Sequence, residues 1–508
     1  MTDFSPPLEA LLSPDADPVA AGWQLRELAE SAIDRGSELL TELAAQSDSI
    51  ATADPAVVGA ILRVIHHVTL AAGGEIGKDL DLASIAKVES ALPDTVPNRH
   101  LLLQLMAMLR TDESLRLLVD RLIESPPKQW IEAGQVLSPL MQHDDWSVTA
   151  VYPKLLDALQ HPSLASPLLD LANYLFRKGR IDQHPATGRS DMVNTLLGEV
   201  TNRLASFEEN PHFFGDDVAT VQDRLGEAVA LAVSLCDTAG QLGEESSIAK
   251  LYQTVELKHR RVQCEAAGAL ARLGAVIGRE RLLKLASEPA ARLRAIHYAD
   301  ELQFGDSVDE EFRSEEATAE AEMALWLTQP QQMGVPPTGI EVVDRRRMLW
   351  PSFQDPIDVF LVRFEYSFGD QIYSNVGITG PVAFSLSADV ADLPVDDIYS
   401  IYAGWHADHP EIFAVPRDQL NEAQVRAMRS FQDHLDRSDY ESLEPLLLGV
   451  FLDEKAGVFS ALREEKPCIV ITDGLETMDQ PVSGRSRPLE AGDMFNLYKG
   501  RKMLRTFN

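Results

Sequence analysis

The sequence predicts a multidomain chain in which an all-α solenoid of stacked helices is followed by an α+β domain. Apolar residues recur at helical spacing from about residue 19 to 305, and they alternate at strand spacing beyond residue 340. The length of 508 residues also exceeds what one hydrophobic core supports. We therefore expect a flexible arm at 1–18, a helical repeat domain at 19–305, an acidic connector at 306–338 and an α+β domain at 339–508.

Capping residues and apolar stripes predict the individual helices of the first half. Asp54 and Pro55 are typical of a helix start, and the following apolar residues from Val57 to Ile65 share one face. Pro97 and Thr111 precede two more helices, and Ser125-Pro126-Pro127 ends the second of them. Further helices are predicted at about 128–141, 147–159, 164–178, 190–205 and 217–238. Because the breaks are short, neighbouring helices should pack antiparallel.

An internal repeat occupies the end of the helical region. Arg261 and Arg292 each precede an aliphatic residue and are 31 residues apart, as are Gly274 and Gly305 at the ends of the two segments. Small residues at 266–269 would let neighbouring helices approach closely. Both glycines are predicted to end helices in the left-handed conformation.

The two segments, RRVQCEAAGALARLG and ARLRAIHYADELQFG, resemble HEAT-type repeats, in the short form first described in bilin lyases. The resemblance covers residues 258–305. It implies an α-solenoid, and its link to bilin lyases implies lyase activity or chaperone-like handling of a ligand.

The next segment changes composition. Residues 300–322 hold ten acidic residues and one basic residue, Arg313, which predicts an acidic connector that becomes helical near 317–327. Pro330, Gly334, Pro336 and Pro337 then mark a domain boundary.

The C-terminal part alternates apolar and polar residues. Residues 360–368 predict a half-buried strand, Gly369-Asp370 a tight turn, and residues 372–378 the returning strand of a hairpin. Helices are predicted from Pro394 to His409 and at 418–436. Strands are predicted at 445–452, 457–463 and 467–472, with a final pair around 493–507.

Charge and composition exclude several classes of protein. The chain has 45 Lys+Arg against 79 Asp+Glu, a formal net charge of −34, which argues against coating nucleic acid or an anionic membrane. The N-terminus resembles no secretory signal, and no segment is apolar enough to span a membrane. Three widely spaced cysteines, Cys236, Cys264 and Cys468, predict reduced thiols in a cytoplasmic protein. The common phosphate, nucleophile and metal motifs are absent, so we expect no cofactor and name no catalytic residue.

One segment is basic although the chain as a whole is acidic. Residues 258–294 hold nine basic and three acidic residues, and we define the basic ridge as its candidate binding residues, Lys258, Arg260, Arg261, Arg292 and Arg294. This ridge could be merely solvated, could bind the acidic connector or the C-terminal domain of the same chain, or could bind an external acidic partner.

The strongest metal candidates are His406 and His409, spaced to share one helix face. Histidines at a helix C-terminus need no metal to explain them, so we expect none.

These patterns favour a protein-interaction scaffold or adaptor built on HEAT-like repeats, with protein partners. Two alternatives stay open. One is an enzyme or ligand-handling protein related to bilin-lyase repeats. The other is nucleic-acid binding through residues 258–294.

Overall fold

The computed structural model describes residues 4–14, 18–33, 35–71, 80–329, 331–380, 384–385, 390–407, 410–482 and 488–508. The chain divides into two compact units, Met1–Leu282 and Leu283–Asn508. The first is helical and the second is α+β, which confirms the predicted order of the two classes. The predicted domain boundaries stay predictions.

The first unit consists of helices that follow one another after short breaks. They are α1 Ser5–Leu11, α2 Pro18–Ser31, α3 Gly36–Ala45, α4 Ser47–Ile50, α5 Pro55–Ala71, α6 Leu82–Ala91, α7 Arg99–Leu109, α8 Asp112–Glu124, α9 Trp130–Gln142, α10 Pro162–Arg177, α11 Ser190–Glu209, α12 Val218–Leu242, α13 Ile248–Thr254, α14 Arg260–Arg272 and the first part of α15 Val276–Ala286.

Two segments differ from their predicted structure. Residues 5–11 of the predicted flexible arm form α1, because Leu8 and Leu11 are fully buried. The helix predicted at 147–159 is two short 3₁₀ helices, Val148–Ala150 and Lys154–Ala158. Pro153 separates them, since proline has no N–H to donate to a continuing helix.

The helices of the first unit pack in two layers. In one layer α7, α9, α10, α12 and α14 each contact the next helix, and in the other α11 contacts α13. Apolar residues fill the space between the layers, as Leu168 and Leu175 of α10 are fully buried. From α7 to α14, the helices therefore contact those one or two positions away along the chain.

Close approach of helices explains the small residues of α14. A Cβ on Gly240 of α12 would lie 3.0 Å from Ala269 Cα, and one on Gly278 of α15 would overlap the backbone at Ala271. Gly274 follows α14 with φ +78°, and the N–H of Ala275 donates to Leu270 O at 2.9 Å, which confirms the predicted left-handed end.

The corresponding prediction for Gly305 is wrong. Helix α16, Pro289–Glu301, ends with Gln303 in the left-handed conformation at φ +61°, and the N–H of Phe304 donates to Ala299 O. Gly305 instead begins a 3₁₀ turn, Gly305–Ser307, in which a Cβ would overlap the Asp300 carboxylate. Glycine is needed there for the close approach to Asp300.

The predicted acidic connector contains helix α17, Glu315–Leu327, in the second unit. Ser314 caps it by accepting a hydrogen bond from the Ala317 N–H at 3.1 Å. Its apolar face carries Ala319, Met323 and Leu327, which are buried against a β-sheet. The acidic residues therefore lie on a helix with a packed face.

The first sheet has four antiparallel strands in the order β1 Gly339–Met348, β2 Ile357–Phe368, β3 Gln371–Thr379 and β4 Phe384–Ser385. Phe368 pairs with Gln371, so Gly369-Asp370 forms the predicted tight turn. One face of β2 packs on α17. The sequence did not predict β1, because this edge strand carries the charged run Arg345–Arg347 that is typical of protected sheet edges.

The second sheet has five antiparallel strands in the order β5 Phe413–Pro416, β6 Glu441–Phe451, β7 Glu454–Arg463, β8 Lys466–Thr472 and β9 Thr477–Pro481. The three predicted strands correspond to β6, β7 and β8. Three further helices accompany the sheets, namely α18 Val395–His406, α19 Glu422–Leu435 and α20 Ala491–Phe507.

The strand pair predicted around 493–507 is wrong, since this segment forms α20. Glu490 and Asp493 make a capping box at its start. Met494, Leu497 and Tyr498 are buried at helical spacing. The short apolar groups of this segment are compatible with both strand and helical spacing. The capping box is the sequence signal that indicates a helix.

Helices α18 and α20 lie between the two sheets. Their core includes Leu361 and Ile378 of the first sheet, and Val458 and Ile471 of the second. Helix α19 covers the opposite face of the second sheet with Met428, Phe431 and Leu435. From α17 onward, the second unit is therefore layered as helix, sheet, two helices, sheet and helix.

The order of elements in this unit occurs twice. Helix α17, four strands and α18 are followed, after β5, by α19, four strands and α20. Residues 397–404, DIYSIYAG, match residues 493–500, DMFNLYKG, at a separation of 96.

The contacts between α18 and α20 are also reciprocal, because equivalent residues of the two helices make equivalent contacts. A Cβ on Gly404 would overlap the backbone of Asn496, and one on Gly500 would overlap that of Ser400, the residue equivalent to Asn496. Such reciprocal contacts are those of a two-fold symmetric pair.

Candidate functional site

A set of polar side chains lies on α10, α12 and α14, which contact one another in the first unit, and we call it the polar stripe. Residues three or four positions apart share one face of a helix. The stripe comprises Ser166, Asp170, Asn173 and Arg177 of α10, Ser234, Asp237, Thr238 and Gln241 of α12, and Arg261 and Arg272 of α14.

Ser234 connects the first two helices. Its hydroxyl donates to Asp170 Oδ1 at 2.6 Å and lies 2.9 Å from the Ser166 hydroxyl. Ser234 is only 1% exposed, and the acceptor of its proton is a carboxylate. A serine nucleophile needs both access and an adjacent base such as imidazole, so this pair is a structural link.

Asn173 is the buried centre of the stripe. Its Oδ1 accepts from the Thr238 hydroxyl and from His184 Nε2, each at 3.0 Å, and its Nδ2 donates to Ser234 O at 3.2 Å. His184 Nδ1 accepts from the Ala186 N–H at 3.1 Å, which assigns the proton to Nε2. Burial lowers the pKa of His184 to about 4, so this histidine is neutral and positions Asn173.

Asp237 joins α10, α12 and α14. It forms ion pairs with Arg177 and, at 3.0 Å, with Arg272, and it accepts from Gln241 Nε2 at 2.9 Å. Burial opposes ionisation of this carboxyl, but Arg177, Gln241 and Arg272 outweigh it and lower its pKa. The ionised aspartate therefore holds two arginines in fixed positions.

Asp170 is the titrating group of the stripe. Its side chain is exposed, yet the surrounding protein excludes enough water to raise its pKa to about 6, with Asp237 adding to the rise. The Ser234 hydrogen bond and the charges of Arg261 and Arg177 oppose this shift.

The residues of the basic ridge have different surroundings. Lys258 and Arg261 are exposed, and the charge of Arg261 acts on the Asp170 carboxyl. Arg260 donates to Gln263 Oε1 at 2.9 Å, and Arg294 donates to the Tyr298 hydroxyl at 3.1 Å. Arg261 lies in the first unit and Arg292 in the second.

Arg292 is buried and binds the predicted acidic connector. Its guanidinium pairs with Glu320 at 3.0 Å and donates to Ala317 O at 2.6 Å and Ala286 O at 3.1 Å. Only 4% of the residue is exposed. For this arginine, the structure shows the contact within the chain that was one of the three open alternatives.

The predicted metal candidates form no described metal site. His406 ends α18, and its Nδ1 accepts from Trp350 Nε1 at 3.1 Å. Burial lowers its pKa. His409 lies outside the described residues, and the described part of the chain brings no three His, Cys, Asp or Glu side chains together as a metal would require.

Sequence reasoning missed the polar stripe because its contacts join residues about 60 positions apart. The available signal was Ser166, Asp170 and Asn173 within the mostly apolar run from Leu164 to Phe176. Polar residues at that spacing on a buried helix require partners on a neighbouring helix.

No family model, curated protein or solved structure matches the chain. Among the described residues, no helix is both long and apolar enough to cross a membrane.

Proposed function

We propose that the first unit is a HEAT-like solenoid that binds a segment of a partner protein along the polar stripe. The observation that carries this proposal is the alignment of polar faces on α10, α12 and α14, with Asp170 and Arg261 left accessible. Stacked helical pairs present this kind of extended surface to their partners.

The packing supports a repeat architecture. Helices α10, α12 and α14 contact one another in succession, and α11 and α13 form the second layer. Helices α10 and α14 also end alike, with Gly179 at φ +66° and Gly274 at φ +78°. Recurrent packing and recurrent helix ends are what a stack of similar units requires.

The fixed charges of the stripe favour a peptide over an apolar ligand. The Arg177–Asp237–Arg272 network orients two guanidinium groups before any partner binds, which lowers the entropic cost of binding. Arg261 adds a further accessible positive charge. A peptide with a carboxylate opposite Arg261 and amide donors opposite Asp170 would match these groups.

Nucleic-acid binding through residues 258–294 has less support. Arg272, Arg281 and Arg292 are paired with Asp237, Glu256 and Glu320 of the chain itself. Phosphate binding would compete with these pairs, and the net charge of −34 opposes approach of a polyanion.

The test compares proteins captured from native lysate by the wild-type chain, by Arg261→Glu and by Arg63→Glu. Arg63 is an exposed arginine of α5, so its variant makes the same charge change away from the stripe. We expect Arg261→Glu to lose a partner that wild type and Arg63→Glu retain. Capture of the same proteins by all three, or of none, would contradict the proposal.

A further inference from the structure

A polar cavity of about 490 Å³ lies in the helical layer of the first unit that does not hold the polar stripe. Its wall is one face of α11, from Asp191 to Asn202, together with Lys250 of α13. Asp191, Glu199 and Asn202 are exposed, so the cavity opens to solvent. Small-molecule sites of ~300–1,000 Å³ are usually lined by apolar side chains. No aromatic or large aliphatic side chain lines this one, which favours a charged ligand.

The ammonium group of Lys250 lies at the middle of this wall. A Cβ on Gly198 would be 3.2 Å from Lys250 Nζ and 3.4 Å from its Cε, so the lysine side chain crosses α11 where the wall has no side chain. No ion pair or hydrogen bond joins Nζ to another residue that the structure describes. Its three protons are therefore available to an acceptor in the cavity.

Asn194, one turn before Gly198, provides an acceptor. Its Nδ2 donates to Ser246 Oγ at 3.4 Å, whereas its Oδ1 is buried without a hydrogen-bond partner among the described residues. Buried polar atoms in folded proteins are almost always hydrogen-bonded, so this oxygen requires a donor that the described chain does not supply. The carboxylates of Asp191 and Glu199 also form no ion pair within the described part of the chain.

We propose that this cavity binds a basic α-amino acid such as arginine. Two carboxylates and one ammonium give the wall a net charge of −1, which complements a ligand with one negative and two positive groups. A dianion would be repelled by Asp191 and Glu199, and a simple cation would be repelled by Lys250. Only a ligand that has both signs matches all three groups.

The spacing of these groups along α11 fits the length of arginine. The ligand carboxylate accepts from Lys250 Nζ beside Gly198, and the α-ammonium donates to Asn194 Oδ1 and Glu199. Asp191 lies seven residues before Gly198, ~10 Å along the helix axis. An extended arginine holds its carboxylate and guanidinium ~7–8 Å apart. With a hydrogen bond at each end, the guanidinium reaches the Asp191 carboxylate.

The test measures binding of arginine, citrulline and agmatine to the full chain by calorimetry. Citrulline has nearly the shape of arginine but no side-chain charge, and agmatine has the guanidinium but no carboxylate. Each therefore loses one charge-assisted hydrogen bond, and we expect arginine to bind at least ~10-fold more tightly than either. The proposal is overturned if the wild-type chain does not bind arginine at millimolar concentrations, or if it binds all three compounds equally.

Substitutions then assign the two ends of the ligand. Lys250→Met and Asp191→Asn should each weaken arginine binding at least ~10-fold. Lys250→Met should also abolish the preference for arginine over agmatine, and Asp191→Asn the preference over citrulline, which a change of fold alone would not do. Lys87→Met and Asp223→Asn make the same changes at exposed positions outside the cavity and should bind as wild type does. Unchanged preferences in the two cavity variants would overturn the proposal.

Discussion

Replacing Lys499 by leucine should stabilise the second unit at neutral pH. In the folded chain the pKa of this lysine is lowered from 10.5 to about 8 by burial. One unit of pKa corresponds to about 1.4 kcal/mol, so keeping the ammonium charged costs on the order of 3 kcal/mol at pH 7. Lys499→Leu removes that cost and leaves an apolar side chain beside Phe495 and Met503.

The stability gained by Lys499→Leu should decrease as pH rises. Because the pKa of this lysine is lowered in the folded chain, the whole cost of its buried charge is present below about pH 8. The cost is relieved as pH rises toward 10.5, where the unfolded chain also loses its proton. Integrating between these values, the advantage of Lys499→Leu should fall from ~3 kcal/mol at pH 7 to ~1.5 kcal/mol at pH 9.5.

The assay must report on the second unit alone, since a chain of two units need not unfold in one step. Met503 is 5% exposed and lies one turn from Lys499 on the same helix. Its oxidation by peroxide across a urea series therefore marks the unfolding of α20. The free energy of unfolding then follows from the midpoint and slope at each pH.

Lys466→Leu is the matched control, because Lys466 is exposed at the start of β8 in the same unit. Its effect should stay within about 0.5 kcal/mol at both pH values. The reasoning is refuted if Lys499→Leu is no more stable than wild type at pH 7. It is also refuted if the gain is the same at pH 9.5, because burial of a charge would then not be its cause.

Three other sets of substitutions test separate parts of the structure. Arg292→Met should lower the free energy of opening α17, measured by amide hydrogen exchange, by ~3–5 kcal/mol. The double variant Arg292→Met with Glu320→Gln should lose much less than the sum of the two single losses, and additive losses would show that the pair is not coupled. Gly404→Ala and Gly500→Ala should each lower the melting temperature by a similar amount, because either Cβ would overlap the facing helix, whereas Gly492→Ala, with open space around it, should not. Asp170→Asn should become more stable than wild type as pH rises from 4 to 7, because the raised folded pKa of about 6 makes ionisation unfavourable in that window; parallel stability curves would contradict this.

The sequence predicted the elements that depend on local patterns. Alternation located β2 and β3, and the two-residue turn at Gly369-Asp370 set their register. The left-handed residue after α14 followed from Gly274. The same reasoning failed at α16, where Gln303 takes that conformation. Gly305 is required instead for its close approach to the Asp300 carboxylate.

The charges of the residues predicted the candidate site less well than their side-chain contacts do. Arg261 and Arg292 have equivalent positions in the repeat, yet one is exposed and the other binds Glu320 with 4% of its surface exposed. Their sequence neighbourhoods are similar, and the difference comes from a helix 25 residues further on that supplies the acceptor Ala317 O. A single sequence does not show which of two similar arginines meets such a partner.

In the second unit, the two copies of the repeated module allow equivalent residues to be compared within one chain. Two copies of the module pack through equivalent glycines, so shared residues such as Gly404 and Gly500 are explained by the helix contact. Residues that differ between the copies at buried positions cannot be explained by that shared contact. Lys499 opposite Ala403 is such a position, and it places a charge where the fold tolerates a methyl group. The stability of Lys499→Leu therefore measures a cost that only one of the two copies bears.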